Sequence, residues 1–343
     1  AGEGGDSAAA AGRGGFASSS SPSPREIQRE ILDARSIASC LEVVEQHSTF
    51  LDDVHVASLY NRVADLTLRG AKAGAQGGSS SASLGHLTEL VKLRLPSMNP
   101  RSLSTVANAC GKMKPADGQG QRRQRGGGDD GDGDGECAAI LGHIRERVNG
   151  SLGDFSPRDL ENILWAHGKV KVRLPNEELD RWLLHLCGRV EELDSRGLVS
   201  LLYSCQRLRY KPKAEAMASL ARAMRDHVPA MGLKALANLL SSLAHLQSKD
   251  TVETIDLVAA TICEKLAQRR GQRGEGLNLR NIANVLWSFA ELQYYPPADF
   301  LRLLDESAAP LVGGQGTPLV LTTYLRACHK LARRPAPAIL EGA

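Results

Sequence analysis

The sequence predicts an all-α fold: an α-solenoid of about seven 38-residue helix-turn-helix repeats with low-complexity loop insertions. Three observations predict it. The string "NILWAHGKV" (162–170) has a near-copy in "NVLWSFAEL" (284–292), with the Trp kept and the His and Lys gone. A catalytic group is not repeated and then blanked, whereas a structural unit is. Further windows with the same pattern recur at a period near 38. Inside each window the apolar residues follow the helix period, not the strand period.

The windows are anchored on Val56, Leu103, Leu160, Leu198, Leu236, Ile282 and Leu321, at spacings of 47, 57, 38, 38, 46 and 39. The longer spacings hold Gly-, Ser- or charge-rich inserts near 70–83, 114–135 and 268–276, which account for the excess. Each unit opens with a first helix. Four residues before the anchor stand Asp52, Asn99, Ser156, Asp194, Gly232, Asn278 and Thr317, all N-cap types. Pro100, Pro157 and Pro318 follow at the first helical position, where no hydrogen-bond donor is lost. Apolar residues at offsets 0, +3, +4, +7 and +10 share one face. Pro175, Pro212, Pro296, Pro297 and Pro335 are expected to stop the helix. A second helix follows, as at 84–95, 141–148, 176–193, 214–228 and 252–267. A helix pair cannot bury its apolar face alone, so the pairs are expected to stack.

The rest of the chain bounds the function. Hydrophobic residues make up 42% and aromatics only 4%, a poor match to a β-sandwich or a large enzyme core. The net charge of +3 is compatible with nucleic acid but too small to argue for it alone. The sequence has no apolar run near the length of a membrane span, so no membrane contact is expected. Residues 1–25 are low-complexity Gly, Ala and Ser and are expected to be disordered, with 26–343 forming the helical-repeat domain. The absence of an initial Met and the ragged opening suggest a fragment or a processed chain.

The repeat also absorbs the residues that invite chemistry. Cys110, Cys205 and Cys328 fall at +7, and Cys187 and Cys263 at +27, so they are expected to be buried thiols. His167 also falls at +7, where other copies carry Val63, Leu243 and Phe289, and is expected in the core. "DGDGDG" (130–135) alternates acids like a calcium loop, but Leu141 stands where the closing Glu is needed. The sequence shows no phosphate loop, metal constellation or nucleophile–base pair, so no cofactor, small-molecule substrate or enzymatic activity is expected.

Opposite the core lies a polar stripe at offsets −2, +2, +5 and +9, within about 60° of one another around the helix. Offset −2 is basic in five successive copies: Arg101, Arg158, Arg196, Lys234 and Arg280. Offset +2 is small and polar: Ser58, Thr105, Asn162, Ser200, Asn238, Asn284 and Thr323. Offset +5 varies: Asn61, Asn108, Trp165, Tyr203, Ser241, Trp287 and Arg326. Offset +9 carries Lys112, Lys169, Arg207, His245 and Lys330, with Asp65 and Glu291 as exceptions. Lys114, Lys171, Arg209 and Lys249 extend that basic edge. A cation in the first turn opposes the helix dipole at about 0.3–1 kcal/mol each. Five in register imply a requirement that outweighs helix stability. Cations at each end with hydrogen-bonding groups between them suit a single-stranded RNA. The competing readings are a solvated face, with +2 residues bonded between helices, and a protein-binding scaffold. The three aromatic +5 residues (Trp165, Tyr203 and Trp287) are read as packing between units or as stacking with bases.

The chain resembles the octotricopeptide repeat family of algal organelle RNA-binding proteins, related to FAST-kinase-like proteins with RAP domains. The resemblance rests on "NILWAHGKV", "NVLWSFAEL", "YYPPADFL" (294–301) and "LDDVHVASLYNRVADL" (51–66), and covers about 40–343 apart from the inserts. It implies sequence-selective binding of organelle mRNA or rRNA in a chloroplast or mitochondrion, acting in transcript stabilisation, processing or translation. It implies roughly one nucleotide per repeat, read from the concave face of the first helices. The alternative partners are other repeat proteins or an organellar ribosome. A RAP domain is not visible in the sequence.

Overall fold

The computed structural model describes residues 22–72, 81–113, 135–247, 251–268 and 276–341. Among these residues the chain is all-helical. The elements are α1 (Pro24–Asp33), α2 (Ile37–His47), α3 (Asp53–Lys72), α4 (Ser81–Arg94), α5 (Pro100–Met113), α6 (Gly135–Gly150), α7 (Pro157–Val170), α8 (Asn176–Cys187), α9 (Ser195–Arg207), α10 (Ala214–His227), α11 (Leu233–Leu246), α12 (Val252–Gln268), α13 (Leu279–Leu292), α14 (Ala298–Ala308), α15 (Val312–Gln315), α16 (Pro318–Lys330) and α17 (Pro337–Glu341). Helices α1, α3, α5, α7, α9, α11, α13 and α16 pack each on the next. Behind them, α8, α10, α12 and α14 pack in the same succession.

The first helices begin where their caps dictate. The backbone N–H of Ser102 donates to Asn99 Oδ1 at 2.9 Å, and that of Gly197 to Asp194 Oδ1 at 2.8 Å. His55 N–H finds Asp52, and Asn281 N–H finds Asn278, each at 2.8 Å. Ser156 and Asp159 form a reciprocal capping box. Thr317 caps α16, while Gly232 caps without a side chain. The expected core face is buried: Leu160, Ile163 and Val170 of α7 and Ile282, Val285, Leu286 and Phe289 of α13 are 0% exposed. At about 1.5–3 kcal/mol per fully buried side chain, this face dominates the energetics of each helix.

The helices do not end at the prolines. Five of the seven stop earlier, at a residue at offset +11 in the left-handed region: Lys171 (φ 66°), Arg209 (φ 53°), Gln247 (φ 48°), Gln293 (φ 54°) and Ala332 (φ 50°). The next N–H then reaches back over the last turn. Tyr210 N–H donates to Cys205 O and Tyr294 N–H to Phe289 O, each at 2.9 Å. Val172 donates to His167 O and Arg333 to Cys328 O, each at 3.0 Å. This is the Schellman closure, made without glycine. The prolines instead open the second helices: Pro175 and Pro297 are the N-caps of α8 and α14.

In three copies the residue after the turn also links its unit to the one before. Tyr210 donates to Asp180 Oδ1 at 2.5 Å, Tyr294 lies beside Asp256, where burial and that carboxylate raise its phenol pKa, and Arg333 pairs with Asp305. Across the second helices, Arg145 of α6 forks onto Glu178 of α8 at 2.6 and 2.7 Å, and that hydrogen bond holds the Glu178 carboxyl below its usual range.

Several expectations need correction. The pair α1–α2, capped by Ser23 and Ser36, was not read as a pair in the sequence, and it starts inside the segment expected to be disordered. The helix expected over 176–193 breaks at Gly188 and continues as a 3₁₀ turn over Val190–Glu192. The edges of the first insert, 70–72 and 81–83, belong to α3 and α4. Residues 73–80, 114–134 and 269–275, most of the acid-rich run at 130–135, and Lys114 and Lys249 lie outside the described residues, as do 1–21. All seven cysteines are free thiols; Cys40, Cys110, Cys205 and Cys328 are buried, whereas Cys187 and Cys263, expected in the core, are partly exposed.

His167 occupies the core as expected, 0% exposed and edge-on to Trp182. Its Nδ1 donates to Ile163 O at 2.8 Å, which leaves Nε2 a buried acceptor with no partner. Burial pushes its pKa from the ordinary 6.5 down to about 4. Between these values the unfolded chain takes up a proton that the folded chain refuses. Stability from this site is therefore intact above pH 6.5 and falls as pH drops toward 4, by on the order of 3 kcal/mol. His167→Leu, matching Leu243 of the next copy but one, should flatten urea-derived stability over that range. Separately, Gln293→Gly should raise stability by about 0.5–1 kcal/mol by relieving the left-handed turn, and Gln293→Val should lower it.

Candidate nucleic-acid interface

Burial of the apolar face rotates the stripe residues of successive first helices toward one side. There they line one groove with a cavity volume of about 1620 Å³. All four stripe columns contribute. Arg101, Arg158, Arg196 and Lys234 line it from offset −2, and Thr105, Asn162, Ser200, Asn238, Asn284 and Thr323 from +2. Asn61, Asn108, Trp165, Tyr203, Ser241, Trp287 and Arg326 line it from +5, and Lys112, Lys169 and His245 from +9. A smaller cavity of about 240 Å³ adds Arg280 beside Asn284 and Thr323. Among the candidate residues, Arg207 and Lys330 do not line either cavity.

The two edges differ in charge pairing. At −2 all five cations are exposed. Arg158 pairs with Asp194 of the next helix at 3.4 Å. Arg101, Lys234 and Arg280 have no ion pair and no side-chain hydrogen bond among the described residues. At +9 the chain supplies partners. Lys112 pairs with Asp65 at 3.0 Å and donates to Asn61 Oδ1 at 2.9 Å, and Lys330 pairs with Glu291 at 2.5 Å. Asp65 and Glu291, exceptions in the sequence column, are thus the partners of the next copy's lysine. His245 packs against Trp287 with ring centroids 4.4 Å apart and the planes tilted by 44°.

The +2 column is mixed. Asn162 accepts from Asn108 Nδ2 at 3.4 Å, and Ser58 accepts from Gln28 at 3.3 Å, so these bond between helices. Thr105 and Thr323 donate to carbonyls of their own helix. The side-chain amides of Asn238 and Asn284 have no partner among the described residues. In the +5 column, Trp165 fits a notch left by Gly111 of α5; a Cβ there would lie 2.4 Å from its Cζ3. Trp165 and Trp287 both pack between consecutive helices and remain half-exposed to the groove.

The structure adds lining residues outside the predicted columns. Ser104, Glu161 and Val199 sit at +1, and Gly111 and Gln206 at +8. These offsets fall at roughly 80–100° from the anchor, between core and stripe, where consecutive helices touch. A small residue at +8 in most copies (Ala64, Gly111, Gly168, Ala244, Ala290) was the available signal of that close approach. Among the described residues, His, Cys, Asp and Glu form no group of three that could hold a metal, and no helix is long and apolar enough to cross a membrane.

Gly111→Ala should displace the Trp165 ring toward the groove. The expected readouts are a loss of about 1–3 kcal/mol in denaturant unfolding and greater acrylamide quenching of Trp emission. Gly142→Ala, whose added Cβ meets nothing within 4 Å, should instead be neutral or stabilise α6. A scan against protein-family models finds no match to this chain, and a search of curated proteins finds none either.

Proposed function

We propose that the chain is an α-solenoid of seven 38-residue helix pairs, preceded by the α1–α2 pair, that binds single-stranded RNA sequence-selectively along its first helices. The observation that carries this reading is the row of cations Arg101, Lys234 and Arg280, unpaired among the described residues, each in a first helical turn and each bordering a cavity of the stripe that Asn238 or Asn284 also lines with an amide free among those residues. Each of these cations opposes its helix dipole, and the described chain gives it no compensating acid. A phosphate backbone supplies the missing charge, while Asn238 and Asn284 reach base edges. The half-exposed rings of Trp165, Tyr203 and Trp287 offer stacking faces. The groove binds without chemistry, which makes the protein a non-enzymatic factor. The resemblance to octotricopeptide repeat proteins supports a role in organelle gene expression, on mRNA or rRNA of a chloroplast or mitochondrion.

Binding of a mixed-sequence single-stranded RNA, followed by fluorescence anisotropy, should weaken with salt at a log–log slope of about −3 to −4, for five neutralised phosphates. Arg101→Glu, Lys234→Glu and Arg280→Glu together should reduce affinity by at least about 100-fold with unchanged helicity. The pair Lys112→Glu and Lys330→Glu should cost less. A flat salt dependence, or protein partners retained after nuclease treatment and indifferent to the triple reversal, would overturn the RNA reading in favour of a scaffold.

A further inference from the structure

The groove carries two acids. Asp194 is the exposed cap of α9, whereas Glu161 is only 7% exposed. At the equivalent offset the other copies carry Ala57, Ser104, Val199, Ala237, Ala283 and Thr322, so the helix itself does not call for a carboxylate. Burial pushes the Glu161 carboxyl up, while the Ser200 hydroxyl and the Arg158 and Arg196 guanidiniums pull it back toward the ionised form. Arg158 makes its close ion pair with Asp194 and not with Glu161. A buried carboxylate on the floor of a cationic groove is costly, and it repels the phosphates the groove is read to hold. It fits one part of an RNA: the donor edge of a base.

We propose that Glu161 selects guanine, its two carboxylate oxygens accepting the N1–H and N2–H donors of one base held between α7 and α9. This rests on the RNA reading above. A carboxylate only accepts, and guanine alone among the four bases puts two adjacent donors on its Watson–Crick edge. Adenine and cytosine place a ring-nitrogen acceptor beside the amine, facing the second oxygen, and uracil flanks its one donor with two acceptors. Each is rejected by repulsion as well as by a lost bond. Asn238 and Asn284 present donor and acceptor together and tolerate more than one base. Trp165 and Tyr203 border the same stretch of groove and supply ring faces for the selected base.

The test selects RNA on the whole chain from a short random-sequence pool. The winning RNA is then remade with inosine or adenine at each guanine. One position should lose about 10- to 100-fold in affinity with adenine, and measurably with inosine, which lacks only the N2 amine. Glu161→Gln should abolish the inosine effect at that position and shift its preference to adenine or cytosine. Uniform weakening of all four bases by Glu161→Gln would show a structural role only and overturn the proposal, with RNA binding intact. If that variant does not fold, the inosine series on the native chain decides alone: no inosine-sensitive position overturns the proposal. Failure of the native chain to bind any RNA at low salt would sink the RNA reading itself, and the guanine proposal with it.

Discussion

What the groove presents depends on the rotation of each first helix about its own axis, and burial of the apolar face sets that rotation. In α7, Leu160, Ile163, Leu164 and Val170 are buried, and in α13 Ile282, Val285, Leu286 and Phe289 are buried as well. Four such side chains contribute roughly 6–12 kcal/mol of burial per helix. Turning the helix by one residue would forfeit much of this. A first-turn cation costs about 0.3–1 kcal/mol, so core burial wins wherever the two conflict. The polar columns are therefore held in register by residues that never touch them. Small residues at +8, such as Gly111 and Gly168, let neighbouring helices approach, and the same contact fixes where Trp165 can lie.

The second constraint is the shared turn at +11. A non-glycine residue in the left-handed region costs about 1–2 kcal/mol, and five copies accept it. The return is geometric. The turn delivers Tyr210, Tyr294 and Arg333 to acids of the preceding unit, at Asp180, Asp256 and Asp305. Each clamp crosses from a first helix's end to an earlier second helix, so the two layers are fixed relative to each other at every step where the clamp occurs. The strain is local, and the bonds it enables are between units.

Legibility in the sequence followed the range of the interaction. Caps at Asn99, Ser156 and Asp194 were readable because cap and recipient lie three residues apart. The core face was readable because it repeats. The turn at +11 was not, because Lys171, Arg209 and Gln293 stand where glycine would have been the signal. The pairs Lys112–Asp65 and Lys330–Glu291 were hidden because each joins two copies, and a column read one copy at a time shows only an acid among bases. Glu161 was missed because +1 lies beside the stripe rather than in it. The α1–α2 pair was missed because it carries caps and an amphipathic face but none of the repeated string. Local and periodic information survives in one sequence; contacts set by the angle between units do not.

The unequal edges of the groove follow from the same geometry. At +9 a cation sits in the last helical turn, where the dipole favours it, and in two copies, at Lys112 and Lys330, the preceding copy reaches it with Asp65 or Glu291. The chain itself stabilises that edge. At −2 the dipole opposes the cation, and among the described residues only Arg158 of the five makes an ion pair, while Arg196 feels Glu161 and Asp194 from farther away. Arg101, Lys234 and Arg280 thus keep their full charge toward solvent at a position that costs helix stability. Under the RNA reading this asymmetry orients the ligand: the phosphates follow the −2 edge, where charge is uncommitted, and the bases turn inward over Asn238, Asn284 and the aromatic +5 residues. The +9 edge, where Lys112 and Lys330 are already paired, then acts mainly as a wall.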